Sequence, residues 1–289
     1  MSSVVFGQGD YAFKVLANKG TSEVKVGSSW QAVKIGSSLN LNDEIKVPEN
    51  AYIGLVHVKG KPLELKQAGT YKVSDLAAKA TTNTTVMAKY TDFILSSNSA
   101  ETKKNRLSAT GAVSREVPGE VDVFLPADNQ NASVYNSTIE VKWESKSKGP
   151  FVVIFQNMFD DELMKIETPA TSLEVNLNDP KLASESAILV QVKTKAMEKA
   201  ESKEFLIRRM STADVDRVKK SLVEISIDPK EENAIDYLLL SSFYENNGLI
   251  IDALGAYDKV LKLAPDVPTY KEGYEDFLLR NKLKDPAAK

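Results

Sequence analysis

Between residues 11 and 76 apolar side chains recur in short runs, broken by Gly, Pro or Asn/Asp positions. That spacing predicts strands at 11–17, 22–26, 31–33, 44–47, 52–58, 63–65 and 70–73, and so a small all-β domain. Ile53-Gly-Leu55-Val-His57-Val alternates, yet Val56 and Val58 make both faces partly apolar. From 85 to 97 the period changes. Val86, Met87, Tyr90, Phe93, Ile94 and Leu95 fall at helical intervals, which predicts a connecting helix. A polar stretch at 96–105 follows, and 108–115 reads as a short strand. Seven further strand-like runs come at 121–125, 138–143, 151–156, 162–167, 172–177, 187–193 and 204–208. Ile139, Val141 and Trp143 alternate with Glu140 and Lys142, the pattern of a strand with one wet face. This density of strands predicts a β-sandwich, with Trp143 in its core.

The remainder is helical. Val215, Val218, Leu222 and Ile225 mark a helix capped at Ser211 or Thr212, with Asp214 in its first turn and Asp228-Pro229 closing it. Tyr237, Leu240, Ser241, Tyr244, Gly248, Ala253, Tyr257 and Pro265 then follow the spacing of a tetratricopeptide repeat that starts at Ala234. The resemblance implies two antiparallel helices over 234–267. Small residues let them approach, aromatics fill the gap between their ends, Gly248 permits the turn and Pro265 stops the second helix. Tyr237 stands where Trp is commoner, and Val260 replaces a small residue. An amphipathic segment with Tyr270, Tyr274, Phe277 and Leu278 reads as a capping helix. Because such repeats generally need about three copies, this one requires bracing by the helices at 212–226 and 268–281, by the sandwich, or by another chain.

Two further resemblances concern the β regions. Lys19–Val26, Trp30-Gln-Ala-Val33, Ile35-Gly36, Leu39 to Ile45, Ala51 to Leu55, Gly60, Leu63-Glu-Leu65 and Ala68-Gly-Thr-Tyr71 resemble the β-rich domain of FecR-type periplasmic proteins. Asn42 replaces the glycine that usually precedes the Asp, a residue type that can still adopt a left-handed turn. FecR signalling proteins carry a transmembrane helix and contact an anti-sigma partner; this chain has no such apolar run, so sigma-factor regulation is not carried over. The 118–210 region, with its early Trp143, resembles an immunoglobulin-like or fibronectin type III module. The expected fold class is therefore multidomain, β then α. Residues 1–8 form a signal-peptide remnant, 9–80 a FecR-like β domain and 81–117 a helical connector. An immunoglobulin-like sandwich occupies 118–210 and a tetratricopeptide-like helical domain 211–289.

Composition narrows the functions. The chain of 289 residues has a net charge of −3, and its Lys and Arg are scattered among Asp and Glu, so nucleic acid is not an expected partner. Cys is absent and His occurs once, at His57, which removes thiolate chemistry and almost every zinc or haem site. No stretch approaches the roughly 20 apolar residues of a spanning helix. Met1 to Gln8 reads as the tail of a secretory signal, Val5 and Gly7 having the spacing a signal peptidase requires, or else as an ordinary N-terminal tail.

Candidate chemistry is sparse. Asp160-Asp161-Glu162 is the densest acidic group but lacks calcium-loop spacing and reads as a solvated hairpin turn. Lys103-Lys104 reads as solvated surface. Neither phosphate-loop, dinucleotide nor nucleophile-elbow motifs occur. His57 sits mid-strand with no nucleophile motif near it. No catalytic residue, metal or cofactor is expected. The leading functional expectation is a non-enzymatic, exported bacterial cell-envelope scaffold or accessory protein, periplasmic or extracellular, that docks envelope protein partners through its helical end. The alternative is glycan or peptidoglycan binding by the N-terminal β domain. Trp30, Tyr52 and Tyr71 could stack on sugars there, although Trp30 reads as core. An enzyme of unrecognised type ranks last.

Overall fold

The alternation of 13–72 forms eight strands: β1 (Phe13–Lys19), β2 (Glu23–Val26), β3 (Ser29–Ala32), β4 (Ser38–Leu39), β5 (Glu44–Val47), β6 (Tyr52–His57), β7 (Pro62–Leu65) and β8 (Gly69–Lys72). This computed structural model describes residues 11–58, 61–80, 86–97, 121–195, 201–225 and 232–284. The signal-like start, Gly60, Lys103-Lys104, the strand read at 108–115 and Asp228-Pro229 lie outside them. Contacts group the chain into two units. Unit 1 comprises Met1–Ser99, Leu222–Leu239 and Val260–Glu272; unit 2 comprises Ala100–Ser221, Leu240–Lys259 and Gly273–Lys289. The residues read as one helical domain are thus divided between the two.

In unit 1 the strands make two antiparallel sheets, β4-β1-β6-β7 and β3-β2-β5-β8. Phe13, Val15, Leu39, Ile53 and Leu55 of the first share a core with Val24, Ile45 and Val47 of the second. Val73 is the expected end of a strand. It instead opens α1 (Val73–Ala80), whose Val73, Leu76, Ala77 and Ala80 stripe is buried in that core. The period-2 reading ran one residue too far because Lys72 and Val73 continue the alternation. The connecting helix is found as α2 (Val86–Ser97), within unit 1, with Tyr90 and Ile94 buried.

Unit 2 holds β9 (Val121–Val123), β10 (Ser133–Val134), β11 (Thr138–Ser145), β12 (Phe151–Gln156), β13 (Glu162–Thr168), β14 (Ser172–Asn176), β15 (Ala187–Thr194) and β16 (Phe205–Arg209). They form a five-stranded sheet, β10-β16-β15-β12-β13, and a three-stranded sheet, β14-β11-β9. Only the β10–β16 pairing is parallel among these strands. Inward residues of both sheets share one core, where Trp143 meets Phe151 edge-on at 5.5 Å. The two-residue strands β4 and β10 are too short to show alternation and escape a sequence reading.

The helices are α3 (Thr212–Ile225), α4 (Ala234–Asn246), α5 (Ile250–Leu263) and α6 (Pro268–Arg280). The cap of α3 is Ser211: its Oγ accepts from the Asp214 N–H at 3.2 Å and donates to the Asp214 carboxylate at 2.7 Å. No described helix is long and apolar enough to cross a membrane.

Candidate functional site

The helix pair at 234–267 is the expected docking element. Gly248 has φ +71°; its N–H donates to the Glu245 carbonyl and the Leu249 N–H to the Tyr244 carbonyl, which closes α4 in a Schellman motif. Ser241, Tyr244, Ala253 and Tyr257 are buried, Tyr237 and Leu240 half-buried, and Pro265 lies exposed just past α5. Tyr257 packs on Phe277 at 4.9 Å and on Tyr274 at 6.0 Å. Burial pushes the Tyr257 hydroxyl above its ordinary range.

These helices are, however, buried almost all round, and a docking helix needs an open face. Within unit 1, Ile235 and the Tyr270 hydroxyl press so close on Gly54 of β6 that a Cβ there would meet them at 3.0 and 3.2 Å. This accounts for a strand that is buried along both faces. Tyr270 Oη hydrogen-bonds Tyr52 Oη at 2.7 Å, and Tyr52 donates to Glu64 at 2.6 Å. Glu64 also accepts from the Ile235 N–H at 3.0 Å, one of the donors that the first turn of α4 leaves unpaired. Within unit 2, Ile251 enters the sheet core, Asp258 pairs with Lys142 of β11, and Asp252 accepts from the Tyr135 and Asn136 N–H groups at 2.8 Å each. The bracing therefore comes in part from the protein's own β regions. Desolvation pushes the Asp252 carboxyl up to about 6, against the pull of those two hydrogen bonds.

The three aromatics weighed for sugar stacking are not brought together as a reader. Tyr52 is buried and hydrogen-bonded, which removes it from any exposed surface. Tyr71 is half-buried against the unit 1 core, its hydroxyl donating to the Gln67 carbonyl. Trp30, read as core, is instead exposed. It lies on the edge strand β3, directly opposite Lys25 of β2, so it projects from the charged face while Val24 and Ile45 point inward. The Lys25 and Lys46 ammonium groups each stand 5.9 Å from its ring centroid. His57 is buried, its ring against Phe13 at 5.0 Å.

Asp160 and Asp161 lie in the hairpin turn between β12 and β13, and Glu162 opens β13, paired with Gln156. Asn157 organises the turn: its Oδ1 accepts from the Phe159 and Asp161 N–H groups at 2.8 and 3.0 Å, and its Nδ2 donates to the Asp161 carboxylate at 2.9 Å. Asp160 takes the left-handed conformation, φ 66°. Among the described residues no group of three or more His, Asp or Glu side chains is placed to hold a metal ion. What the sequence reading passed over are the neighbours. Phe159 is 85% exposed and Met158 53%. The available signal was two large apolar residues where a hairpin turn ordinarily carries small polar ones.

Comparison with known proteins gives no family whose model matches this chain. No curated protein matches it either.

Proposed function

We propose that this chain is a non-enzymatic, exported cell-envelope scaffold or accessory protein of a bacterium, acting by binding other proteins. The resemblance of its β regions to FecR-type and immunoglobulin-like modules supports the compartment and the class. The tetratricopeptide-like spacing at 234–267 supports the class alone, because the helix faces are used internally. The observation that carries the reading is the hydrogen-bonded hairpin tip at which Phe159, 85% exposed, adjoins Met158, 53% exposed, two adjacent large apolar side chains open to a partner.

The test is fractionation of source cells whose native gene carries a C-terminal tag, after treatment with a short amine-reactive crosslinker. The expected result is recovery from the periplasmic or extracellular fraction in discrete crosslinked species. Recovery from the cytoplasm, or only as free chain, ends the reading.

The exposed Trp30 favours a second reading, glycan or peptidoglycan binding on the β3-β2-β5-β8 face. Titration with soluble peptidoglycan fragments should then change tryptophan fluorescence in the wild type and not in Trp30→Phe. Trp143 is fully buried, so a response shared by both proteins would rule this out.

A further inference from the structure

We infer that Met158 and Phe159 form the anchor of a protein–protein contact whose other side is an apolar pocket rimmed by Lys or Arg. This rests on the protein-binding reading above and makes it specific.

Three observations converge. The first is exposure: a phenylalanine 85% open to water beside a methionine 53% open is a concentrated apolar cost for a free surface. The second is order. Three Asn157 hydrogen bonds and one from Gln156 Nε2 to the Asp160 carbonyl fix the loop, so little conformational entropy remains to be lost on docking. Buried aromatic anchors set on rigid elements are where binding energy concentrates. The third is charge. Asp160, Asp161 and Glu162 follow Phe159 directly and are all exposed. An apolar tip that inserted into an anionic bilayer would carry Lys or Arg; carboxylates here are repelled by such a surface and matched by a cationic protein rim.

The experiment places a photoreactive benzoylphenylalanine at position 159 of the full chain, illuminates the producing cells and sequences the crosslinked peptide. The parent protein so identified is then purified and titrated with the wild type, Phe159→Ala and Asp160→Asn/Glu162→Gln. We expect one dominant peptide that combines apolar residues with Lys or Arg. Phe159→Ala should weaken binding roughly 30-fold or more. The charge variant should flatten the salt dependence, and neither should shift Tm. Crosslinks to lipid, with flotation on phosphatidylethanolamine/phosphatidylglycerol vesicles, would assign the tip to a membrane and overturn the inference. So would crosslinks to a second copy of this chain, or Phe159→Ala binding like wild type. If amine crosslinking captures complexes while position 159 captures none, the tip assignment fails and the protein-binding reading stands. If neither captures anything, both fail.

Discussion

Glu64 and Asp252 each take backbone donors from an element far away in sequence, so each joins a helix to a sheet region through one carboxylate. Glu64 is almost fully buried, with a side-chain exposure of 3%. Removing it strands the Ile235 N–H and leaves the Tyr52–Tyr270 hydroxyl pair with two O–H donors for the one hydrogen bond between them, so two buried donors go unmet. Glu64→Ala should lower stability by about 2–3 kcal/mol, read from the urea midpoint at unchanged m-value. For Asp252 the sign of the pH dependence follows from a folded pKa of about 6 against an ordinary 3.8. The folded state then holds more protons than the unfolded one between about pH 4 and 6, so stability from this group is full at low pH and is lost as pH rises through 6. Asp252→Ala removes that gain along with two acceptors. Its cost should be larger at about pH 4.5 than at about pH 7.5, by about 2 kcal/mol, in urea unfolding at the two pH values. A cost independent of pH would rule out the raised pKa. Neither partnership was legible in the sequence, because Glu64 and Ile235 are 171 positions apart and Asp252 and Tyr135 117 apart. A carboxylate in a helical first turn reads equally well as a local macrodipole effect.

At the scale of elements the sequence was most informative where one residue has one conformational job. Gly248 was legible as a turn, and its positive φ places it at the C′ position of a Schellman motif. Gly248→Ala should cost about 1 kcal/mol, measured by thermal or urea unfolding, and Gly248→Asn less, because Asn tolerates the left-handed region. The same motif closes α6, where the Lys282 N–H donates to the Leu279 carbonyl and the Leu283 N–H to the Leu278 carbonyl, but here the residue with φ 55° is a lysine. Nothing in the sequence marks it, since Lys is an ordinary surface residue. Lys282→Gly should raise stability by up to about 1 kcal/mol, and a loss would mean that the charge matters more than the backbone. Strand boundaries were legible where one face is the more buried, as in β5 and β12, whose expected and observed bounds coincide. They blurred at β8, where the chain turns into a helix whose apolar stripe begins at the next residue.

For the whole chain, β regions followed by helices could be read from the change of period, but the autonomy of the helices could not. Period shows which face is apolar and not what covers it. Ile235, Tyr270 and Ile251 are covered by residues of β6 or of the unit 2 core, and Asp252 and Asp258 find partners in Tyr135, Asn136 and Lys142. Residues 211–289 on their own would carry these apolar surfaces into water and leave buried carboxylates without their partners. One helix pair is also fewer repeats than an array needs. The excised segment should therefore show partial helicity by circular dichroism and melt without a cooperative transition, whereas the full chain unfolds cooperatively. A sharp transition in the fragment would restore the helices as a self-sufficient docking module and reopen their faces as binding surfaces. Its absence would keep those helix faces as internal packing surfaces, with the proposed partner contact remaining at exposed side chains of the β regions such as Phe159 and Trp30.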